Sequence, residues 1–145
     1  MGDISQNLFN FTTDIQVILN IHLLRYIYMK YIFFNSRDEL VRVNVANIVF
    51  FESDGNYTHL YTTNKMRSTI GITLGSMEKA LASQLGAQAS VFVRIGKRFI
   101  VNKNFIYKVN IPKLSLALSD CDRFLFQLKV SKEALKTLKQ LIVNE

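Results

Sequence analysis

The chain has no tryptophan, one cysteine, one proline and two histidines in 145 residues. A lone cysteine, Cys121, cannot close an intramolecular disulfide, and nothing resembles a zinc-ligand spacing. A reducing, cytoplasmic setting is therefore expected, with no metal and no other cofactor. His22 and His59 are far apart, and neither neighbours an acidic residue or the cysteine in sequence. No nucleophile elbow, phosphate-cradling glycine loop or metal-binding histidine pair is present. Cys121 lies between Asp120 and Asp122, whose negative charges oppose a thiolate, so it reads as an ordinary turn residue. Glu52 and Asp54 are two carboxylates beside a turn, an ordinary arrangement. No catalytic constellation can be assembled, and the chain is not read as an enzyme.

Acid is missing too, but only locally. The formal net charge is +7, and residues 1–36 contribute none of it, because Arg25 and Lys30 cancel Asp3 and Asp14. Between Glu78 and Asp120 there is no acidic residue, while Lys79, Arg94, Lys97, Arg98, Lys103, Lys108 and Lys113 accumulate. A basic, acid-free stretch inside a folding region suits a polyanion: nucleic acid first, an anionic membrane surface second.

Apolar residues are present in quantity, 49% of the total, with only 20% charged. That composition and length suit one domain with a real core. Abundant Phe, Tyr and β-branched residues lean the class toward β structure. There is no internal repeat, low-complexity tract or interdomain linker. Residues 1–10 are polar and weakly patterned, and Gln6 fails the myristoylation pattern that Met-Gly invites.

The segment IQVILNIHLLRYIYMKYIFF, 15–34, is as long as a membrane span, yet Asn20, His22, Arg25 and Lys30 interrupt it. It lacks the flanks of a signal peptide. It reads as an interfacial or dimer-forming helix within an N-terminal extension, 1–30, that runs into a first strand near Tyr31–Phe34. A membrane anchor is the other reading.

From Arg37 the texture becomes short strand-like runs between polar turns. LVRVNV (40–45) and YTHLYTT (57–63) alternate, NIVFFES (47–53) is a denser apolar run, and MRSTIGITL (66–74) is a further strand candidate. SMEKALASQLG (76–86) changes to helical period, with Ser76 placed to cap it and Gly86 to end it. VFVRI, RFIVNKNFIYKVNI, LSLAL and RFLFQLKV come next, with turns at Pro112–Lys113 and Ser119–Asp122. SKEALKTLKQLIV (131–143) closes as a helix capped by Ser131, with Leu135, Leu138 and Ile142 inward and Lys132, Lys136 and Lys139 outward.

Four of these blocks, in this order, resemble the LytTR-type DNA-binding domain of bacterial response regulators. NIVFFESDGNYTHLYTTN is similar to its strand–turn–strand unit, and TLGSMEKALAS to its short helix. FVRIGKRFIVNKNFI resembles its Phe-x-Arg-Ile block with a basic turn before Ile-Val-Asn. LKVSKEALKTLKQLI resembles its closing helix, opened by a Ser-basic pair. The resemblance covers about residues 31–143, within a domain spanning 31–145.

The resemblance implies a mainly β fold: short antiparallel sheets packed as an elongated sandwich, with a small internal helix and a C-terminal helix. It also implies that loops rather than a recognition helix enter major grooves of double-stranded DNA, on repeated half-sites that two molecules would share. Three regions map onto those loops: Asn56, Thr58 and His59 with Tyr57; Gly96, Lys97 and Arg98 with Arg94 at their approach; and Ser131 with Lys132. Two positions depart from the family pattern. Gly96 stands where many members have histidine, with the basic charges shifted, and Lys132 stands where arginine is usual. Lysine lacks the planar fork that grips guanine. No receiver domain fits in the first 30 residues, so a stand-alone member is expected.

Taken singly, Lys103 and Lys108 suit phosphate or solvent, and Asn102 suits a strand-end cap bonded to its own backbone. Tyr57 and Tyr61 read as half-buried core. Thr58 and His59 fall on opposite strand faces, so only one of them is expected to reach DNA. The leading expectation is a sequence-specific transcriptional regulator that binds double-stranded DNA, pairs on it as a homodimer and leaves contact with RNA polymerase open. The runner-up is a membrane-associated interaction module with 15–34 as anchor. Binding to RNA or single strands ranks below both, because the aromatics fit core patterns.

Overall fold

The computed structural model describes residues 12–24 and 30–145. Residues 1–11 and 25–29, with the readings made on them, lie outside the described residues. Residues 12–24 are helical (α1). Then come β1 (Tyr31–Asn35), β2 (Leu40–Asn44), β3 (Ile48–Asp54), β4 (Tyr57–Thr62) and β5 (Arg67–Ile70), before α2 (Leu74–Leu85). The chain continues through β6 (Phe92–Ile95), β7 (Phe99–Asn102), β8 (Ile106–Asn110), β9 (Ser115–Ser119) and β10 (Leu125–Lys129), and ends in α3 (Lys132–Val143). The fold is mainly β, with three antiparallel sheets: β1-β2, β10-β9-β8 and β5-β4-β3-β7-β6.

The five-stranded sheet separates two cores. On one face Val49, Phe50, Phe99 and Val101 pack with Leu116 and Leu118 of β9 and with Leu135 and Leu138 of α3. On the other, Ile48, Phe51, Leu60 and Ile100 pack with Ile32 of β1 and with Met77 and Leu81 of α2. This is why β3 reads as the unbroken run IVFF rather than alternating: both of its faces are buried. A register irregularity between Ile48 and Phe50 turns two successive side chains, Val49 and Phe50, to the same core. Phe50 stacks on Tyr61 with ring centroids 4.3 Å apart, and Phe126 meets both edge-on.

Two boundaries differ from the sequence reading. The strand expected over 66–74 stops at Ile70, and α2 starts at Leu74 rather than after Ser76. The cap is Thr73, whose hydroxyl oxygen accepts the Ser76 N–H at 3.2 Å, so Leu74 joins the buried stripe. Gly86 ends α2 at φ +57, as its position suggested. Ser131 caps α3 by accepting from the Ala134 N–H.

Candidate nucleic-acid interface

Strand pairing decides what meets at the ends of the large sheet. β7 runs antiparallel to β3 with Glu52 opposite Phe99. The start of β7 therefore lies beside the end of β3, and the turn at Gly55–Asn56 leaves the sheet at the same end as the turn at Gly96–Arg98. The Ser53 N–H donates to the Arg98 carbonyl at 2.8 Å, tying the second turn to the strand that leads into the first. The head of α3 joins them: Arg94 and Gly96 share a cleft of about 350 Å³ with Ser131 and Glu133. The three segments singled out from the sequence thus gather at one end of the fold.

The basic turn is braced from within. Gly96 has φ +60, a conformation that glycine adopts readily. Arg94 donates from Nε to the Gly96 carbonyl at 2.9 Å and from Nη2 to the Lys97 carbonyl at 3.4 Å. Its Nη1 also lies 3.8 Å from Glu78 of α2. Arg98 donates to Glu52 at 2.9 Å and lies over the Phe99 ring, while the Tyr61 hydroxyl donates to the other Glu52 oxygen at 3.4 Å. Both arginines therefore hold the turn. Lys97 and Lys132 are exposed and enter no ion pair among the described residues.

Asn56 and Tyr57 are exposed at the tip of the β3–β4 hairpin. Tyr57 was expected in the core; one place beyond the glycine turn it lies past the packed part of the strand, with 55% of its surface open. Tyr61 keeps the expected core position. The expectation that Thr58 or His59 faces outward is corrected. Thr58 is completely buried and its hydroxyl donates to the Ile72 carbonyl at 2.8 Å. His59 is buried as well, with Nε2 at 2.8 Å from the Asp54 carboxylate and Nδ1 at 2.9 Å from the Thr69 hydroxyl. A carboxylate only accepts, so Nε2 carries a proton and, in the neutral ring, Thr69 donates to Nδ1. Alternation along β4 does not expose a face here because both faces are covered. The two side chains support the hairpin instead.

Lys103 is not brought to this end. It lies just past β7, at the opposite end of the strand from Arg98, and its ammonium meets Glu145 at 2.6 Å. Asn102 is buried: its amide donates to the Ile48 carbonyl at 2.9 Å and its oxygen accepts the Asn104 N–H at 3.0 Å. That is the strand-end role read from the sequence, with a cross-link to β3 added. The bracing by Arg94 and Glu52 was missed, because a strand arginine beside a charged turn gives no local sign of which way it points. Among the described residues, no cluster of three or more potential metal-ligating side chains occurs.

The family model for the LytTr DNA-binding domain matches residues 38–143. No curated protein matches the chain. A solved structure described as the LytTr DNA-binding domain of a putative methyl-accepting/DNA response regulator from Bacillus cereus superposes with a TM-score of 0.54 at 18% identity. The match covers 77% of this chain and 95% of that one, and it establishes the shared fold.

Proposed function

The chain belongs to the LytTr DNA-binding domain family, and from that premise we propose that it is a sequence-specific transcriptional regulator whose hairpin tips and α3 head enter major grooves of double-stranded DNA. The observation that carries this reading is the gathering of three loop segments at one end with Lys97 and Lys132 exposed and unpaired. Lys132 opens α3, where the positive end of the helix dipole disfavours a cation. A phosphate or a base edge offsets that cost, and the free N–H groups of the helix start favour an anion at the same place.

Roles divide accordingly. Lys97 and Lys132 contact phosphate or base edges, with Asn56 and Tyr57 reading beside them. Arg98 shares its charge between Glu52 and the partner, while Arg94 and Gly96 set the shape of the tip. Ser131 starts α3. Two copies bind repeated half-sites as a homodimer, and Lys108 adds long-range attraction, while the Lys103 charge is paired with Glu145. Selection of bound fragments from random duplex DNA, with a salt titration of the winning sequence, tests the reading. An enriched, repeated motif with affinity falling steeply as salt rises is expected. Recovery of unenriched sequence overturns specific recognition.

A further inference from the structure

Helix α1 presents an apolar surface far too wide for a single protein seam. Between Ile15 and Leu24, seven aliphatic side chains are each 39–57% exposed. At 3.6 residues per turn, Ile15, Ile18, Leu19 and Leu23 fall on one side of the helix and Val17, Ile21 and Leu24 on the next, together spanning roughly 260°. Gln16 and Asn20 form the polar strip opposite, where the Gln16 amide donates to the Asn20 side-chain oxygen at 3.3 Å, while His22, between Ile15 and Ile18, and Asp14, between Ile18 and Ile21, interrupt the arc. A helix that packs against one partner needs an apolar stripe of about 100°. Pairing with α1 of a second copy would therefore leave more than half of the arc in water.

The chain beyond α1 differs in character. No acidic residue occurs between Asp14 and Asp38, while Arg25, Lys30 and Arg37 are interleaved with Tyr26, Tyr28 and Tyr31. The outer face of the β1–β2 hairpin continues the pattern: Tyr31, Phe33 and Leu40 are 40%, 53% and 61% exposed. Arg42 lies on the same face, its guanidinium 3.8 Å from the Tyr31 ring centre. Tyrosines and cations C-terminal to these helical residues in the sequence match the headgroup zone of a bilayer, where rings sit half-wet and cations meet anionic lipid.

We propose that α1, with the outer face of β1–β2, is a lipid-binding element that holds the domain at the surface of an anionic bilayer. The thirteen described residues of α1 rise about 20 Å, against about 30 Å for the hydrocarbon core. Among the described residues no helix is long and apolar enough to cross a membrane. On this proposal the helix lies within the boundary layer, its Gln16–Asn20 strip toward water, and the outer face of β1–β2, with Arg42, accompanies it onto the headgroups. This inference does not depend on DNA recognition, which uses other elements: the β3–β4 and β6–β7 tips and the head of α3.

The test is flotation of the full chain with vesicles of phosphatidylcholine, alone or mixed with phosphatidylglycerol, in the absence of DNA. Wild type is expected to float with both and more completely with the mixed vesicles. Leu19→Asp/Leu23→Asp is expected to partition at least about a hundredfold more weakly, since two buried leucines are replaced by charges. Its unfolding temperature checks that the domain is intact; Leu19→Gln/Leu23→Gln replaces it if not. Wild type remaining outside the vesicle fractions overturns the proposal, as does a variant that floats equally well. Sedimentation equilibrium that finds a wild-type dimer, no lipid binding and a monomeric variant assigns the arc to a second copy instead. Duplex affinity measured without vesicles is a separate arm, so either reading can fail alone.

Discussion

Arg94 bonds to the carbonyl of Gly96, 2.9 Å from its Nε, within its own hairpin. The most prominent arginine of the basic block is thereby a brace for the turn, with Glu78 of α2 on its far side at 3.8 Å. That relationship separates cations that shape the tip from cations that face outward, and the difference is measurable.

Lys97→Ala and Lys132→Ala are each expected to weaken binding to the selected duplex by about 1–3 kcal/mol and to lower the slope of log affinity against log salt by about one. Arg94→Ala is expected to weaken specific binding with the slope unchanged, because no phosphate contact is removed. Fluorescence anisotropy across a salt series distinguishes them. If both lysine variants bind as tightly as wild type and remain folded, the assignment of the tip fails.

Gly96→Ala isolates the backbone of the turn. A Cβ built there meets nothing within 4 Å, so the cost arises only from φ +60. A loss of about 1–2 kcal/mol in chemical denaturation is expected. Gly96→Asn, a residue that tolerates this region, is expected to lose less. Equal losses for the two would show that side-chain crowding decides the position.

Thr58→Val removes a hydroxyl that is wholly buried and bonded to the Ile72 carbonyl. Leaving that carbonyl unpaired is expected to cost about 1–3 kcal/mol of stability. Duplex affinity per folded molecule should not change, since the side chain does not reach the surface. A selective loss of affinity without a loss of stability would return Thr58 to the reading surface.

Asp120 sets the acid limit of one turn. Burial opposes its ionisation, but the Arg123 side chain and the N–H groups of Arg123, Asp122 and Phe124 outweigh that and hold its carboxyl well below the usual carboxylate range. The unfolded chain then binds a proton more readily than the folded one. The stabilisation is complete above the ordinary carboxylate value, about pH 4, and is lost as pH falls toward the lowered folded value. Asp120→Asn is expected to unfold at a lower temperature than wild type at neutral pH, and the two should converge in acid. A constant difference from about pH 7 to about pH 2 would remove this account.

Legibility tracked range. Period-two alternation marked β2 and β4, helical period marked α2 and α3, and the Ser131 cap was visible as a serine before an apolar stripe. The tips at Gly55–Asn56 and Gly96–Arg98 were visible as turn chemistry between apolar runs. The acid-free block and its family resemblance pointed to segments that the fold gathers at one end. Thr73 was missed as the α2 cap because Ser76 offered the same chemistry three residues later. Tyr57 was misplaced because alternation does not say where a strand leaves the packed core.

By itself the sequence determined the order of elements, the turns and the basic character of the tips, because each depends on neighbours a few residues apart. Only the tertiary structure decided which cations are free. Glu52 and Arg98 are 46 positions apart and meet because β3 pairs with β7. Thr58 and His59 are withdrawn from the surface by side-chain and backbone partners on neighbouring segments, Ile72 for Thr58 and Asp54 with Thr69 for His59, which only strand pairing brings into reach. No local pattern encodes such pairings: the free energy that selects them is the burial of two cores on opposite faces of one sheet.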